Sequence, residues 1–188
     1  MQFLKAFTNY SILCFVFISY LITTNASAQH YKPLKTTTWS DYVGTASINC
    51  IKAVDGEDEI GVFVRDNNGN EMLVGASVIG SIIKEYFYVT VYGDDITTAN
   101  IIDGAVEGQE LIFKIWDKSQ NKEYLINNNQ IQVQYNPDVS SLTLPVVWKS
   151  SGTYGLLILN TKIIGDLNNN LKLDMTDVIG LFNIISDN

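Results

Sequence analysis

Histidine and basic residues are both scarce in this sequence. His30 is the single histidine and lies near the start of the chain, where we expect mobility, so histidine-based triads and histidine-rich zinc sites are excluded. The sequence has 12 Lys and Arg residues and 20 Asp and Glu residues, which gives a formal net charge of −8. Because such a chain repels polyanions, nucleic acid and anionic membrane surfaces are excluded as partners, whereas cations and neutral ligands are favoured.

Long apolar runs are also missing, apart from one near the N-terminus. Lys5 precedes an apolar run over residues 12–22, and Ala26-Ser27-Ala28 follows it. A basic start, a short apolar stretch and a small-x-small site are typical of a secretory signal peptide. A run of about 11 apolar residues is too short to span a bilayer. We therefore predict a signal peptide over residues 1–28, a secreted or cell-envelope location and no transmembrane segment after cleavage.

Cleavage would leave one cysteine and a more acidic chain. It removes Lys5 and no acidic residue, which would leave 11 basic and 20 acidic residues and a formal charge of −9. Cys50 would then be the only cysteine, which excludes an internal disulfide. It lies in the strand-like run TASINCIKAV, where buried packing is expected and a reactive thiol is the alternative.

Between residues 42 and 160 the pattern is that of an all-β domain. Short alternating or β-branched runs are separated by turn residues, with no helical period, which predicts an antiparallel sandwich or barrel. Residues 29–41 precede this module as a linker. The segment Asp66–Asn70 contains Asn-Gly and is predicted to be a hairpin turn. The predicted strands are residues 43–54, 59–66, 71–79, 86–93, 109–117, 122–127, 131–135, 142–148 and 154–160.

The strand YFYVTVYG carries a row of tyrosines. Its aliphatic side chains point to one face, and Tyr86, Tyr88 and Tyr92 point to the other. We expect these tyrosines to pack beneath a loop or to help fill the core. The alternative is that they stack on sugar rings, since a tyrosine has an apolar ring and a polar tip. The same two interpretations apply to Trp39, Trp116 and Trp148.

Paired carboxylates leave an enzyme as a further alternative, because two acids across a groove can hydrolyse a glycosidic bond. The conceivable members are Glu85, Asp94, Asp95, Asp103 and Asp117. Most of them fall in loops or at strand ends, where carboxylates are ordinarily solvated.

Three stretches resemble a β-sandwich module of secreted Bacteroidetes proteins. They are DGEDEIGVFVRDNNGNEMLVG, YFYVTVYGDD and EGQELIFKIWDKSQNKEY, and the resemblance covers about residues 42–150. It implies an Ig-like β-sandwich in a bacterial extracellular or cell-envelope setting, and no particular activity.

The last part of the chain, residues 161–188, has the spacing of an EF-hand-type calcium loop followed by a helix. Such a loop places oxygen ligands at positions 1, 3, 5, 7, 9 and 12, since Ca²⁺ takes 6–8 oxygens. Those positions hold Asp166, Asn168, Asn170, Lys172 (through its carbonyl), Asp174 and Asp177. Leu171 replaces the usual glycine at position 6, so we expect weak binding. After the loop, Val178, Leu181, Phe182 and Ile185 form a helical stripe that Asp174 or Thr176 would cap.

A loop and helix without a preceding helix resemble the repeat of dockerins, the calcium modules that join secreted polysaccharide-degrading enzymes to cohesins. The resemblance covers about residues 164–186 and implies the same calcium ligands. It also places Met175 and Thr176 at the positions that contact a cohesin. Dockerins carry two such repeats and this sequence shows one. The lone repeat would therefore pack on its own β-sandwich, dimerise or be a relic.

These observations predict a secreted, non-catalytic protein. Its β-sandwich would carry a short C-terminal calcium loop and helix, which attach it to a cohesin-like or other extracellular protein involved in polysaccharide breakdown. The first alternative is a carbohydrate-binding module that uses the tyrosine row. The second is a small glycan-active enzyme.

Overall fold

The computed structural model describes residues 29–95, 97–98, 101–163, 165–167, 172 and 174–179. The strands in this part of the chain are β1 (Trp39–Ile48), β2 (Ile51–Lys52), β3 (Glu59–Arg65), β4 (Glu71–Val78), β5 (Phe87–Tyr92), β6 (Ile112–Asp117), β7 (Lys122–Ile126), β8 (Ile131–Val133) and β9 (Thr153–Asn160). A short 3₁₀ turn at Asn128–Gln130 precedes β8, and residues 175–179 are helical.

All nine strands belong to one curled sheet, so the all-β prediction is confirmed. The strand order is β7-β6-β3-β4-β5-β1-β9-β8, and β2 pairs with the end of β1. The prediction of a purely antiparallel sheet is wrong in one place, because β9 lies parallel to β1. A parallel neighbour can come from far along the chain, and more than 100 residues separate these two strands. Since the strands share one sheet, the Ig-like sandwich stays a prediction.

Eight of the nine predicted runs contain a strand, and residues 142–148 do not. In that run the bridge between Glu110 and Val147 is isolated. Pro145 has no N–H to donate to a ladder, which disfavours a central strand there. Val146 and Trp148 are nevertheless buried, so the segment closes one side of the core.

The inner face of the sheet forms the apolar core. Phe87, Val89 and Val91 of β5 are fully buried on this face, as the alternation of the strand predicts. Gly44 allows β1 and β9 to approach closely, because a Cβ there would lie 2.1 Å from the carbonyl oxygen of Leu157. The largest fully buried side chains are Tyr42, Phe87, Phe113, Ile60, Ile79, Leu111, Ile115, Leu157 and Leu159.

The outer face is partly covered by residues 29–38, which we name the N-terminal strap. The ring of His30 stacks on the ring of Trp116 in β6, with centroids 3.7 Å apart. The backbone N–H groups of His30 and Tyr31 donate to the buried carboxylate of Glu59, at 2.8 and 3.1 Å. The expectation that His30 lies in a mobile segment is therefore wrong, because ring stacking and two hydrogen bonds hold this part of the strap on the sheet.

Tyr31 is the main anchor of the strap. Its hydroxyl donates to Glu123 at 2.7 Å, and its ring meets the edge of Phe63. Gly61 provides the space, since a Cβ at that position would lie 2.9 Å from the tyrosine ring. Burial, followed by the hydrogen bond with Glu123, raises the pKa of the Tyr31 hydroxyl well above its ordinary value near 10.

Candidate functional site

The predicted calcium loop closes on itself through Asp177. The two carboxylate oxygens of Asp177 accept the backbone N–H groups of Leu167, at 2.8 Å, and Asp174, at 3.0 Å. Loop position 12 is thereby in contact with positions 2 and 9. The side chains of Asp177 and Asp166 are both buried. The residue at position 12 thus lies at the entrance of the loop, where a closing ligand is needed.

Asp174, one of the two residues predicted to cap the terminal helix, caps the helical residues 175–179. Its carboxylate accepts the backbone N–H of Thr176 at 2.9 Å and also the hydroxyl of Thr176. Met175 and Thr176, the predicted partner contacts, are both exposed at the start of these helical residues. Val178, the first member of the predicted apolar stripe, is 42% exposed. Within residues 174–179, Asp177 is therefore the residue that faces inward.

Several predicted features lie outside the described residues. These are the signal peptide over residues 1–28, the ligands Asn168 and Asn170, the position-6 residue Leu171, and the stripe residues Leu181, Phe182 and Ile185. Lys172 is described and exposed. Among the residues that the structure describes, no group of three or more His, Cys, Asp or Glu side chains is arranged to hold a metal ion. The donor chemistry of the loop fits Ca²⁺, but its described carboxylates do not form such a group.

The predicted tyrosine row separates into two environments. Tyr88 and Tyr92 of β5 lie half-buried on the outer face of the sheet, whereas Tyr86 precedes the strand. Tyr88 and Tyr92 help to line a groove of about 360 Å³, which we name the tyrosine groove; Thr90, Ala76, Pro33 and Lys35 also line it. Tyr86 is not part of this lining. The structure therefore brings together two of the three tyrosines.

Asp41 of β1 is the polar centre of the outer face. Its two carboxylate oxygens accept the hydroxyls of Tyr88, at 2.9 Å, and Thr90, at 2.7 Å. Burial raises the pKa of Tyr88; a hydrogen bond with Thr153 acts in the opposite direction, and Asp41 adds to the increase. The carboxylate is therefore held in one orientation by two donors from the neighbouring strand.

A second groove lies on the other side of Asp41, and we name it the Trp39 groove. It has a volume of about 470 Å³ and is lined by Trp39, Asp41 and Gly152, together with hydroxyl side chains. The hydroxyl residues are Thr37, Thr38, Ser150, Ser151 and Thr153. Trp39 is 53% exposed and lies opposite Tyr92 in the β1–β5 pairing.

Sequence reasoning did not identify Asp41 as a site residue and left the role of Trp39 open. The signal is the strand alternation in Trp39-Ser40-Asp41-Tyr42, which puts Trp39 and Asp41 on one face and Ser40 and Tyr42 on the other. This stretch belongs to the linker predicted over residues 29–41, whereas β1 begins at Trp39. The partners of Asp41 come from β5 and β9, and the spacing along one strand carries no information about them.

The carboxylates considered for catalysis are engaged in their own turns. Asp95 and Asp103 donate their backbone N–H groups to the carboxylates of Asp103 and Asp94, both at 3.1 Å. A hydrogen bond from the backbone N–H of Thr97 lowers the pKa of the Asp95 carboxyl.

The other two acids of that set are also engaged. Asp117 is buried and accepts the hydroxyl of Ser119 at 2.7 Å. Glu85 pairs with Lys52 at 2.6 Å on the surface. These contacts explain each acid as part of a local structure.

Cys50 is exposed, so the prediction of buried packing is wrong. The predicted run 43–54 breaks into β1 and β2, and Asn49 and Cys50 form the turn between them with φ values of 52° and 65°. A left-handed backbone at two successive residues reverses the chain and directs them outward. The predicted turn at Asp66–Asn70 is confirmed, because Asp66 accepts the N–H groups of Asn68 and Asn70, both at 2.8 Å.

Neither a protein-family model nor a curated protein matches this chain. One solved structure, a 9R-lipoxygenase from Cyanothece, is similar over 71% of this chain at 14% identity, with a TM-score of 0.34. This chain spans 18% of the length of that lipoxygenase. Within the described part of the chain, no helix is long and apolar enough to cross a membrane.

Proposed function

We propose that this is a secreted, non-catalytic binding protein whose C-terminal loop binds Ca²⁺ and attaches it to another extracellular protein. The observation that supports the calcium site is the contact of Asp177 with the backbone N–H of Leu167, which closes the loop at 2.8 Å. Asp166, Asp174 and Asp177 would supply charged oxygens, and Lys172 its carbonyl. Asn168 and Asn170 would complete the oxygen set. Calcium would fix the helical residues 175–179 and present the exposed side chains of Met175 and Thr176 to a partner.

Charge favours a cation at this position. Two carboxylates are buried within one short loop, and buried like charges raise the free energy of the folded state unless a cation or hydrogen bonds compensate them. The hydrogen bonds to Asp177 provide part of that compensation, and a divalent cation would provide more. Three charged ligands and no glycine at position 6 predict a dissociation constant in the micromolar to millimolar range.

The test is calorimetric titration of the purified protein with Ca²⁺, repeated on the Asp166→Ala/Asp177→Ala variant. We expect binding to one site in the wild type and at least about tenfold weaker binding in the double variant, since both charged ends of the loop are lost. Asp138→Ala is the matched control, because it removes an exposed carboxylate outside the loop and should leave binding unchanged.

A ligand that binds the folded state alone also raises its thermal unfolding temperature, so the melting temperature with Ca²⁺ and with EDTA is the second measurement. Absence of both heat and a thermal shift in the wild type would overturn the proposal. So would equal binding by the double variant. Sedimentation in Ca²⁺ and in EDTA then separates attachment to a second copy of this chain from attachment to a different protein.

We propose carbohydrate binding on the outer face of the sheet as a second candidate function. One observation favours it: Trp39 and Tyr92 lie opposite each other on β1 and β5, beside grooves that contain many hydroxyl groups. Neighbouring aromatic rings offer apolar surface to a sugar ring, and the surrounding hydroxyls offer hydrogen bonds. Tyr88 and Tyr92, but not Tyr86, fit this role.

A further inference from the structure

We infer that the Trp39 groove binds a neutral glycan, with Trp39 stacking on a sugar ring and Asp41 accepting two adjacent sugar hydroxyls. This inference rests on the second candidate function and names its site and ligand class. It places the ligand on the side of Asp41 that faces β9, away from the tyrosine groove.

The lining of the groove determines the class of ligand. Five of its side chains carry a hydroxyl and one carries a carboxylate, and the described lining contains no Lys, Arg or His. An anionic ligand would meet Asp41 with no cation to compensate it, in a protein that is itself strongly acidic. A neutral ligand with many hydroxyls matches a surface that both donates and accepts hydrogen bonds.

Asp41 is oriented to accept from such a ligand. Each of its carboxylate oxygens has two lone pairs, and the hydroxyls of Tyr88 and Thr90 occupy one on each oxygen. One acceptor site per oxygen remains, which suits the two hydroxyls of a vicinal diol. Because donors from β5 already fix the carboxylate, the ligand does not have to order it, and this lowers the entropic cost of binding.

Trp39 lies at the correct distance to contact the same ligand. Residues i and i+2 of a strand share a face and lie roughly 7 Å apart, so the indole and the Asp41 carboxylate flank a space about the size of a sugar ring. With more than half of its surface exposed, Trp39 contributes little to the core. An exposed tryptophan beside a polar groove is a typical ligand anchor.

The first experiment is gel retardation of the purified protein, with and without EDTA. The gels contain a neutral β-glucan, a xylan, a galactomannan or amylopectin, and one gel contains the anionic polymer polygalacturonate. We expect at least one neutral polysaccharide to retard the wild type, polygalacturonate to have no effect, and EDTA to leave the retardation unchanged. Independence from EDTA separates this site from the calcium loop. Retardation by no neutral polysaccharide would overturn both the inference and the second candidate function.

The variants Trp39→Ala and Asp41→Asn then locate the site. Each should weaken binding of the retarding polysaccharide at least about tenfold, as expected when a main contact is removed. Tyr135→Ala is the matched control, because Tyr135 is 79% exposed and lies outside both grooves, and it should bind as the wild type does. Far-UV circular dichroism confirms that each variant is folded.

Tyr92→Ala distinguishes the inference from the candidate function on which it rests. If Trp39→Ala and Asp41→Asn bind normally while Tyr92→Ala does not, the outer face binds glycan through the tyrosine groove and the assignment to the Trp39 groove is wrong. If only Trp39→Ala and Asp41→Asn lose binding, the inference is supported.

Discussion

The two faces of the sheet are built from the same strands, but their side chains differ in kind. On β5 the inner residues Phe87, Val89 and Val91 are fully buried and aliphatic or aromatic, whereas the outer residues Tyr88, Thr90 and Tyr92 are half-buried and all carry a hydroxyl. The inner face packs into the apolar core, together with Val146 and Trp148 from outside the sheet. The outer face is covered by the N-terminal strap over β3 and β6 and is open at the Trp39 groove.

This difference separates stability from recognition. Removing apolar area from water on the core face stabilises the folded state, so substitutions there lower the free energy of unfolding. The open part of the outer face keeps polar groups available for a ligand, so its residues should be replaceable with little effect on folding. Substitutions in the strap should have an intermediate effect on folding, because the strap is held by polar contacts and by one buried tyrosine.

The largest effect should come from the inner face. Phe87→Ala removes a fully buried ring, and we expect it to lower the free energy of unfolding by about 3–5 kcal/mol through lost burial and a cavity. Tyr92→Ala on the same strand but the opposite face is the matched comparison and should cost clearly less. Urea denaturation measures both, and equal losses in the two variants would remove the distinction between the faces.

An intermediate effect should come from the anchor of the strap. Glu59→Ala leaves the backbone N–H groups of His30 and Tyr31 without their carboxylate, and we expect a loss of about 1–3 kcal/mol in the free energy of unfolding. Amide exchange at His30 and Tyr31 should also accelerate. Glu57→Ala, which removes a neighbouring exposed carboxylate, is the control. Unchanged exchange at both amides in Glu59→Ala would show that the carboxylate does not hold the strap.

The smallest effect should come from the buried tyrosine hydroxyls. It is absent at neutral pH and appears at alkaline pH, as a change in how steeply the free energy of unfolding falls with pH. Burial raises the pKa values of Tyr31 and Tyr42, so both hydroxyls stay protonated in the folded state after they ionise in the unfolded chain. A raised pKa gives stability that is fully present below the unfolded value, about 10, and is lost as the pH rises above it. Each such group contributes up to about 1.4 kcal/mol per pH unit to this loss.

Tyr31→Phe should therefore reduce the decline of stability above pH ~10 compared with the wild type. Urea denaturation at several pH values measures the decline, and Tyr135→Phe is the control at an exposed position. An identical decline in Tyr31→Phe and the wild type would contradict the burial of this hydroxyl between the strap and the sheet.

Much of the fold could be predicted from the sequence, because burial follows the alternation of each strand. The alternation in residues 86–93 correctly assigns Phe87, Val89 and Val91 to the core, and Asn-Gly correctly marks the turn after β3. The prediction failed where the backbone departs from regular strand geometry. Asn49 and Cys50 turn outward, and the run with Pro145 closes the core without joining a strand.

The sequence by itself determined the all-β class, the acidic charge and the spacing of oxygen-bearing side chains in the terminal loop, and it narrowed the cap of the terminal helix to Asp174 or Thr176. These depend on residue types and on distances along the chain, which local chemistry decides. The tertiary structure alone decided that β9 lies parallel to β1, that the strap covers Trp116 and that Asp41 lies between two grooves. These depend on which distant strands become neighbours. Hydrogen-bond pairing and packing of the whole sheet select those neighbours, and no single strand encodes them.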